Sequence, residues 1–511
     1  MNTREIKVKK PWRRIKPQGY MSNGNSLLTI DNTEHIDSLQ SNTVTQADFL
    51  REFYPSGHTI NDPMVYPNIF RAEEITDENG NTRLQYYEEH VPRYAFAFQQ
   101  IIAIKQLVHL CGNDVQKELN SSSPTDKERQ TYSMICDGWL KKDMEVAFYE
   151  VAKSVKTLGD GAMVGYLHNN KFGFKTLSYF NGDLIYPHYD SITGELILFA
   201  RCYFDYDDEG NFTTEWLEIW DKSHLTRLKR TSNKNKSFKE RILGLFNLDG
   251  YVIVGKPQPH GFPFVPVAYM RDDNGPCWSA SQDSIEGYEM SFSQMAHNNQ
   301  AYGEPILYLQ GENVAMQHDV NGTIKTLTMG TDDKAGYLSS QSASESYMKQ
   351  LETLYKMIYE QSFAVIPPEL RSGDLPAAAL KILYSPAYEK AICDCAEYQS
   401  FLNQMVEIFI HGYGIEMKKS IDFKNLPLKW WLKPYVHVNT TSLVTDLATC
   451  VQNGFVSKET ASERIQEYAT TGEWDRIMKE YKQKQEADLL YEIETIKSSQ
   501  QVSQQESDNK E

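Results

Sequence analysis

Residues 284–311, SIEGYEMSFSQMAHNNQAYGEPILYLQG, change their period partway along. Ile285, Tyr288, Phe292, Met295 and Asn299 recur at helical spacing on one face. From 303 to 342 the chain reads instead as a small β-rich insertion with polar turns. Helical spacing then resumes, with Tyr347, Leu351, Leu354 and Ile358 on one stripe. A helix therefore leaves the body of the protein, a small β unit follows, and a helix returns. Such a helix pair cannot bury both of its faces by itself. Packing against copies of itself in a closed head-to-tail ring solves that problem.

Beyond the returning helix lies SFAVIPPELRSGDLPAAALKIL, residues 362–383. Val365, Ile366, Pro367 and Pro368 make a stiff turn, because proline fixes its own φ and restricts the residue before it. Gly373 permits a sharp reversal, and Ala377, Ala378 and Ala379 begin a slim helix. A second long stripe follows: Leu380, Tyr384, Ala387, Ala391, Cys395, Tyr398, Leu402, Met405 and Phe409, ended by Gly412. Pro386 falls within it, which predicts a kink. Next comes a short β-like stretch, LKWWLKPYVHVNTT (428–441). The segment NGFVSKETASERI (453–465) reads as a turn and a helix capped by Ser457. From about 490 the chain is rich in Gln, Ser and Glu, the composition of a disordered tail.

Towards the N-terminus, RYAFAFQQIIAIKQLVHLCG (93–112) reads as a buried helix ending at Gly112. The next helix has Ser123 as its cap, Pro124 in its first turn and Gly159 after its end, with Trp139, Phe148, Val151 and Val155 among its apolar positions. From 160 to 270, aromatic and β-branched residues alternate with Asn-Gly, Asp-Gly and Glu-Gly turns, the pattern of successive antiparallel hairpins. The basic run 227–241 is expected to be an exposed loop between them, with a DNA or partner surface as the alternative. Residues 1–45 are polar and open with a basic run, which reads as a flexible solvated arm, with a nucleic-acid- or partner-binding arm as the alternative.

With 511 residues, two or more domains are expected. The net charge of −17 argues against a fold that grips nucleic acid over its whole surface, but leaves room for local basic patches. No apolar run reaches membrane-spanning length, and the basic N-terminus lacks a following apolar segment. The 7 cysteines are scattered and odd in number, which fits reduced thiols. Cys393 and Cys395 diverge on a helix.

Motifs for chemistry fail on inspection. DYDDEGNFTTEW (205–216) starts like a calcium loop, but Trp216 stands where a bidentate Glu is needed. GDGAMVG (159–165) lacks the Lys-Ser/Thr of a phosphate cradle and follows a helix. His260 and His297 are isolated. No catalytic, cofactor-binding or metal-ligating residue is assigned, and the chain is not expected to be an enzyme.

The order of parts resembles the portal proteins of tailed double-stranded DNA bacteriophages over most of residues 50–490. The carriers are FPFVPVAYMRDDN (262–274) leading into residues 284–311, and NGFVSKETASERI near the end. The resemblance implies an α+β portal-type fold. Its wing would be 46–276, with a return strand in 414–440. The stem helices would be 277–302 and 343–364, the clip 303–342, the tunnel loop 365–376, the long kinked helix 377–413 and the crown 441–490, with a tail over 491–511. It also implies a ring, usually a dodecamer, at a capsid vertex. DNA is packaged and ejected through that ring. The implied partners are the terminase large subunit, major capsid and scaffold proteins and a head–tail connector, assembled in the host cytoplasm, with no membrane and no cofactor. A sliding duplex tolerates few cations, since phosphate contacts brake it. The loop offers Pro367, Pro368, Glu369, Arg371, Gly373, Asp374 and Lys381 as DNA-channel candidates, with Arg371 and Lys381 as phosphate contacts. The clip sets Glu304, Glu312, Asp319, Asp332 and Asp333 against Lys325 and Lys334. The alternatives are another tail or baseplate protein, or a carbohydrate-active enzyme or binding module using Trp216 and Trp220.

Overall fold

The computed structural model describes residues 44–76, 82–121, 124–190, 192–231, 251–302, 306–310, 315–318, 324–328, 334–338, 344–366, 382–417, 426–435, 440–464 and 473–508. Two units emerge, one of 1–368 with 384–435, the other of 369–383 with 436–511.

The first unit opens with helix α1 (Gln46–Phe53), closed by a capping box between Thr45 and Asp48. Strands β1 (Ile69–Thr76) and β2 (Thr82–Glu89) form a hairpin, followed by α2 (Phe98–Cys111) and β3 (Gln116–Leu119). Then come α3 (Asp126–Lys141) and α4 (Met144–Leu158). The hairpin region holds β4 (Asp160–His168), β5 (Lys171–Leu177), β6 (Leu184–Tyr189), β7 (Leu196–Tyr206), β8 (Phe212–Trp220), β9 (His224–Thr231), β10 (Val252–Ile253), β11 (Gln258–Pro259) and β12 (Val267–Arg271). One sheet runs in the order β12-β4-β5 and another β10-β9-β8-β7-β6, with β11 also on β9, every pairing antiparallel.

Alternation explains how the larger sheet buries both faces. Ala200 and Cys202 on β7 join Leu217 and Ile219 of β8 and Tyr251 in one cluster. Phe199, one step out of phase, joins Ile185, Trp220 and the Ala162, Val164 and Val267 side chains of the smaller sheet in another.

Helix α5 (Gln282–Tyr302) and helix α6 (Ser344–Gln361) frame strands β13 (Ile306–Gln310), β14 (Ala315–His318), β15 (Ile324–Thr328) and β16 (Lys334–Leu338). β13 pairs with β16 and β14 with β15, one hairpin nested within another. Helix α7 (Ser385–Glu416) supplies the central stripe of the main core: Cys395, Tyr398, Leu402, Met405 and Phe409 pack on Trp139, Phe148, Val151 and Met163. Strand β17 (Leu428–Trp431) returns to pair with β3.

The second unit contains α8 (Thr440–Gln452), α9 (Lys458–Arg464) and α10 (Glu473–Asp508). Ser457 Oγ accepts from Thr460 N at 3.1 Å, so it caps α9 as its position predicts.

Several expectations need correction. The single helix after residue 124 is two. The chain breaks at Asp143, whose φ of 52° is left-handed, a conformation Asp tolerates better than most residues. The cap of α3 is Thr125, reciprocally bonded to Glu128, rather than Ser123. The helical run does break beside Pro386, at a turn on Tyr384 between helical residues 382–383 and α7, but the proline is not interior. It sits in the first turn of α7, where its missing N–H has no intrahelical partner to lose. Gly412 does not end that helix. It lies inside it, and glycine is required there because the Phe172 ring occupies the space a Cβ would fill. The basic run from Arg227 begins as strand: Arg227 pairs with Glu218, and Arg230 with Glu215. The tail predicted to be disordered is helical through Asp508, over a stretch with neither Gly nor Pro and rich in good helix formers. Helix α2 buries only one side, since Ile101, Ile104 and Val108 are exposed.

Other expectations agree with the structure. Gly159 ends α4 at φ 82° and leads straight into β4. Residues 207–211 form a hairpin turn in which Asp207 Oδ1 accepts from the Glu209 and Asn211 amides. Cys393 is exposed and Cys395 buried, both as free thiols.

Candidate functional site

After Gln99 and Gln100 in its first turn, helix α2 is apolar except where Lys105, Gln106 and His109 interrupt its second half. Each fastens chain passing over the helix. Lys105 Nζ donates to the Val365 carbonyl at 2.6 Å, and Gln106 Nε2 to the Ser362 carbonyl at 2.8 Å. His109 Nδ1 lies 2.8 Å from the Tyr435 carbonyl, while the Tyr435 amide donates to the His109 carbonyl at 2.7 Å. The Tyr384 ring sits 6.2 Å from the imidazole. One helix thus bonds the departing chain at Ser362 and Val365 and the chain at Tyr435, and has the returning Tyr384 beside it.

The departing segment is set by the end of α6. The Phe363 amide bonds to the Glu360 carbonyl at 3.3 Å and the Ala364 amide to Tyr359 at 3.1 Å. These are the two bonds of a Schellman cap. Its left-handed position is occupied by Phe363, at φ 55°, rather than by glycine. A bulky residue there costs about 1–2 kcal/mol, so packing and the Lys105 and Gln106 bonds must hold the bend. Between departure and return lies a cavity of about 20 Å³, room for roughly one water, lined by Lys105, His109, Phe363, Tyr384, Lys390 and Asp394 among others.

A buried polar chain ties the two ends together. Gln106 Oε1 accepts from Lys156 Nζ at 3.2 Å. Lys156 pairs with Asp394 at 2.7 Å, and Asp394 pairs with Lys390 at 2.7 Å. Burial holds the Lys105 ammonium below its ordinary pKa. Burial would lower Lys390 too, but the charge and hydrogen bond of Asp394 outweigh it and hold Lys390 above the usual range. The nearby thiols are inert at neutral pH, with burial pushing Cys111 and Cys277 up to about 12 and Cys395 up to about 11.

This arrangement positions chain; it offers no nucleophile with a base beside it. Among the described residues no group of His, Cys, Asp and Glu is suited to hold a metal ion, and no helix is long and apolar enough to cross a membrane. Trp216 stacks on Tyr203 at 6.3 Å and donates to Asp205, and Trp220 is buried against Phe199, so both serve the sheet. His260 accepts from the Phe262 amide within its own loop.

Pro367, Pro368, Glu369, Arg371, Gly373, Asp374 and Lys381 lie outside the described residues, as do Glu304, Glu312, Asp319, Asp332 and Asp333. Lys325 is on β15 and Lys334 on β16. What the sequence reading missed is the anchor on α2. The signal was present: polar residues at 105, 106 and 109 in an apolar helix need buried partners.

No curated protein matches the chain. The family model described as phage portal protein, SPP1 Gp6-like, matches residues 89–487. That span takes in α2, both sheets, the helix pair with its nested hairpins, α7 and the start of the last helix. The chain therefore belongs to the phage portal protein family: it is a structural, non-enzymatic protein of the virion that forms the ring at a capsid vertex through which DNA is packaged and ejected.

Proposed function

We propose that each part of the chain has a distinct task in that ring. Helices α5 and α6 are the stem, and β13–β16 the clip, carried away from the wing to meet a head–tail connector. Residues 365–376 are the tunnel loop that narrows the bore. The wing is 46–276 with the return strand in 414–440, and the crown is 441–490. The ring has twelve copies. It receives DNA from the terminase large subunit and assembles with major capsid and scaffold proteins.

The observation that carries this reading is the double fastening on α2. On either side of the loop, Val365 is bonded to Lys105 and the Tyr384 ring lies beside His109, one helical turn further along α2. A loop whose two flanks lie on one helix starts and ends at the same level in every copy, which suits a constriction around an axis. The sparse positive charge of the loop and clip suits a duplex that must slide, because each engaged cation would add to the brake.

Electron microscopy of the purified full-length protein tests the proposal. Rings of twelve with an axial hole wide enough for a DNA duplex are expected, narrowest at the level of residues 365–376. Rings narrowest elsewhere would overturn the tunnel-loop assignment, and a different copy number would replace the dodecamer.

A further inference from the structure

We infer that the β1–β2 hairpin is an arm laid against the neighbouring copy in the ring. The inference rests on the ring that family membership establishes. Register places Phe70 opposite Glu88, Ala72 opposite Tyr86, and Glu74 opposite Leu84. Directly opposed residues and those at every second position share a face, so Phe70, Leu84 and Tyr86 line one side of the hairpin together with Ala72, Glu74 and Glu88. Phe70 is 74% exposed, Tyr86 70% and Leu84 53%. The opposite side carries Tyr87, 45% exposed, beside an ion pair between Arg71 and Glu89 across the strands.

β1 and β2 pair only with each other among the described residues. A two-stranded hairpin is marginal in water on its own, and its open edges are a hazard unless covered. Yet the root of this one is built firmly. Asn68 Nδ2 donates to Glu88 Oε1 at 2.8 Å, and Arg93 Nη2 donates at 2.7 Å to both the Tyr66 carbonyl and Asn68 Oδ1. The Tyr94 and Phe96 amides just beyond are held by Ser293 and Glu289 of α5, at 3.0 and 2.8 Å. A fixed root that presents three large exposed apolar side chains on one face is the form of an arm awaiting a partner. The ring supplies one: every copy stands between two others. In a head-to-tail ring the surfaces that meet are different patches, so the blade lies on a separate face of the neighbour and not on its own counterpart.

The test uses the full-length protein with Phe70→Asp, Tyr86→Asp, and both together. Native mass spectrometry at matched concentration measures the ring fraction, and far-ultraviolet circular dichroism checks that the fold persists. A several-fold loss of ring is expected for each single variant, greater for the double. Independently, a photo-crosslinking amino acid at position 70 of otherwise wild-type protein is expected to join two copies within assembled rings. Variants that form rings as the wild type does, or crosslinks in phage-infected cells that reach only capsid or scaffold protein, would overturn the inference. A wild-type protein that forms no ring would overturn the family reading first, and the arm with it.

Discussion

Lys156 Nζ lies 2.7 Å from Asp394 Oδ2, and the two side chains are only 2% and 1% exposed. This pair joins α4 to α7 and, through Gln106, reaches the Ser362 carbonyl at the root of the loop. Removing two charges from water costs several kcal/mol per ion, and their attraction repays it only when the geometry is good and the remaining polar atoms are bonded. Here Asp394 has a second cation in Lys390, and Lys156 has a second partner in Gln106.

Asp394→Asn is therefore expected to destabilise the first unit by about 3–5 kcal/mol, since it strands the Lys156 charge. The double variant Lys156→Met, Asp394→Leu should retain more stability than either single variant. Urea unfolding of the three proteins checks this. An Asp394→Asn midpoint equal to wild type would refute it.

His58 should make stability fall as pH rises. Its ring nitrogens face two acceptors, Glu289 Oε1 and the Glu52 carbonyl, both at 2.7 Å. Two donors are needed, so the ring is held as imidazolium. Burial alone would lower its pKa; the Glu289 hydrogen bond and charge, with Glu52, outweigh that and raise it above 6.5. A raised folded-state pKa means the contribution is complete below pH 6.5 and is lost as pH climbs through the folded value. Thermal unfolding of wild type and His58→Gln from pH 5 to 9 is expected to show a gap that narrows with rising pH. A gap that widens would contradict the assignment.

Phe363→Gly should relieve the left-handed strain at the end of α6, while Phe363→Val should worsen it, with β-branching the least tolerant there. The expected difference between the two variants is at least about 1 kcal/mol. Hydrogen exchange at the Ala364 amide, which closes the cap, reports it locally. Equal protection in the two variants would show that the backbone there is not strained.

Gly412→Ala replaces a poor helix former with the best, yet should destabilise by about 1–3 kcal/mol, because the new methyl overpacks the Phe172 ring. Adding Phe172→Leu should restore much of the loss. A Gly412→Ala protein as stable as wild type would mean the ring moves aside freely.

Arg371→Ala and Lys381→Ala are expected to change the amount of DNA packaged per particle while leaving ring assembly intact. DNA content and ring count, measured on the same lysates, separate the two. Wild-type packaging in both variants would remove these residues from the channel.

Local patterns carried much of the architecture. The period change within 284–311 announced a helix entering a β insertion, and Ile285 and Phe292 do lie on α5 before β13. Turn residues announced the hairpins, and Ser457 and Gly159 announced helix ends. Each of these depends on residues close in sequence, where backbone sterics and hydrogen-bonding capacity act directly. Where the reading failed, the deciding partner was distant. Gly412 looked like a helix end until Phe172 was seen to fill its place. Pro386 looked like a kink because the start of α7 at Ser385 is set by the turn at Tyr384, beside His109.

From residue types and their order alone followed the class of fold, the succession of helices and hairpins, and membership of a family that builds a conduit for DNA. Only the folded chain revealed that α2 grips Ser362, Val365 and Tyr435 with Tyr384 beside it, and that Phe70 and Tyr86 stand exposed on a firmly rooted hairpin. The physical reason is range: alternation and capping are settled within a few residues, whereas a buried lysine finds its carboxylate, and an apolar face its cover, only after segments hundreds of residues apart have met.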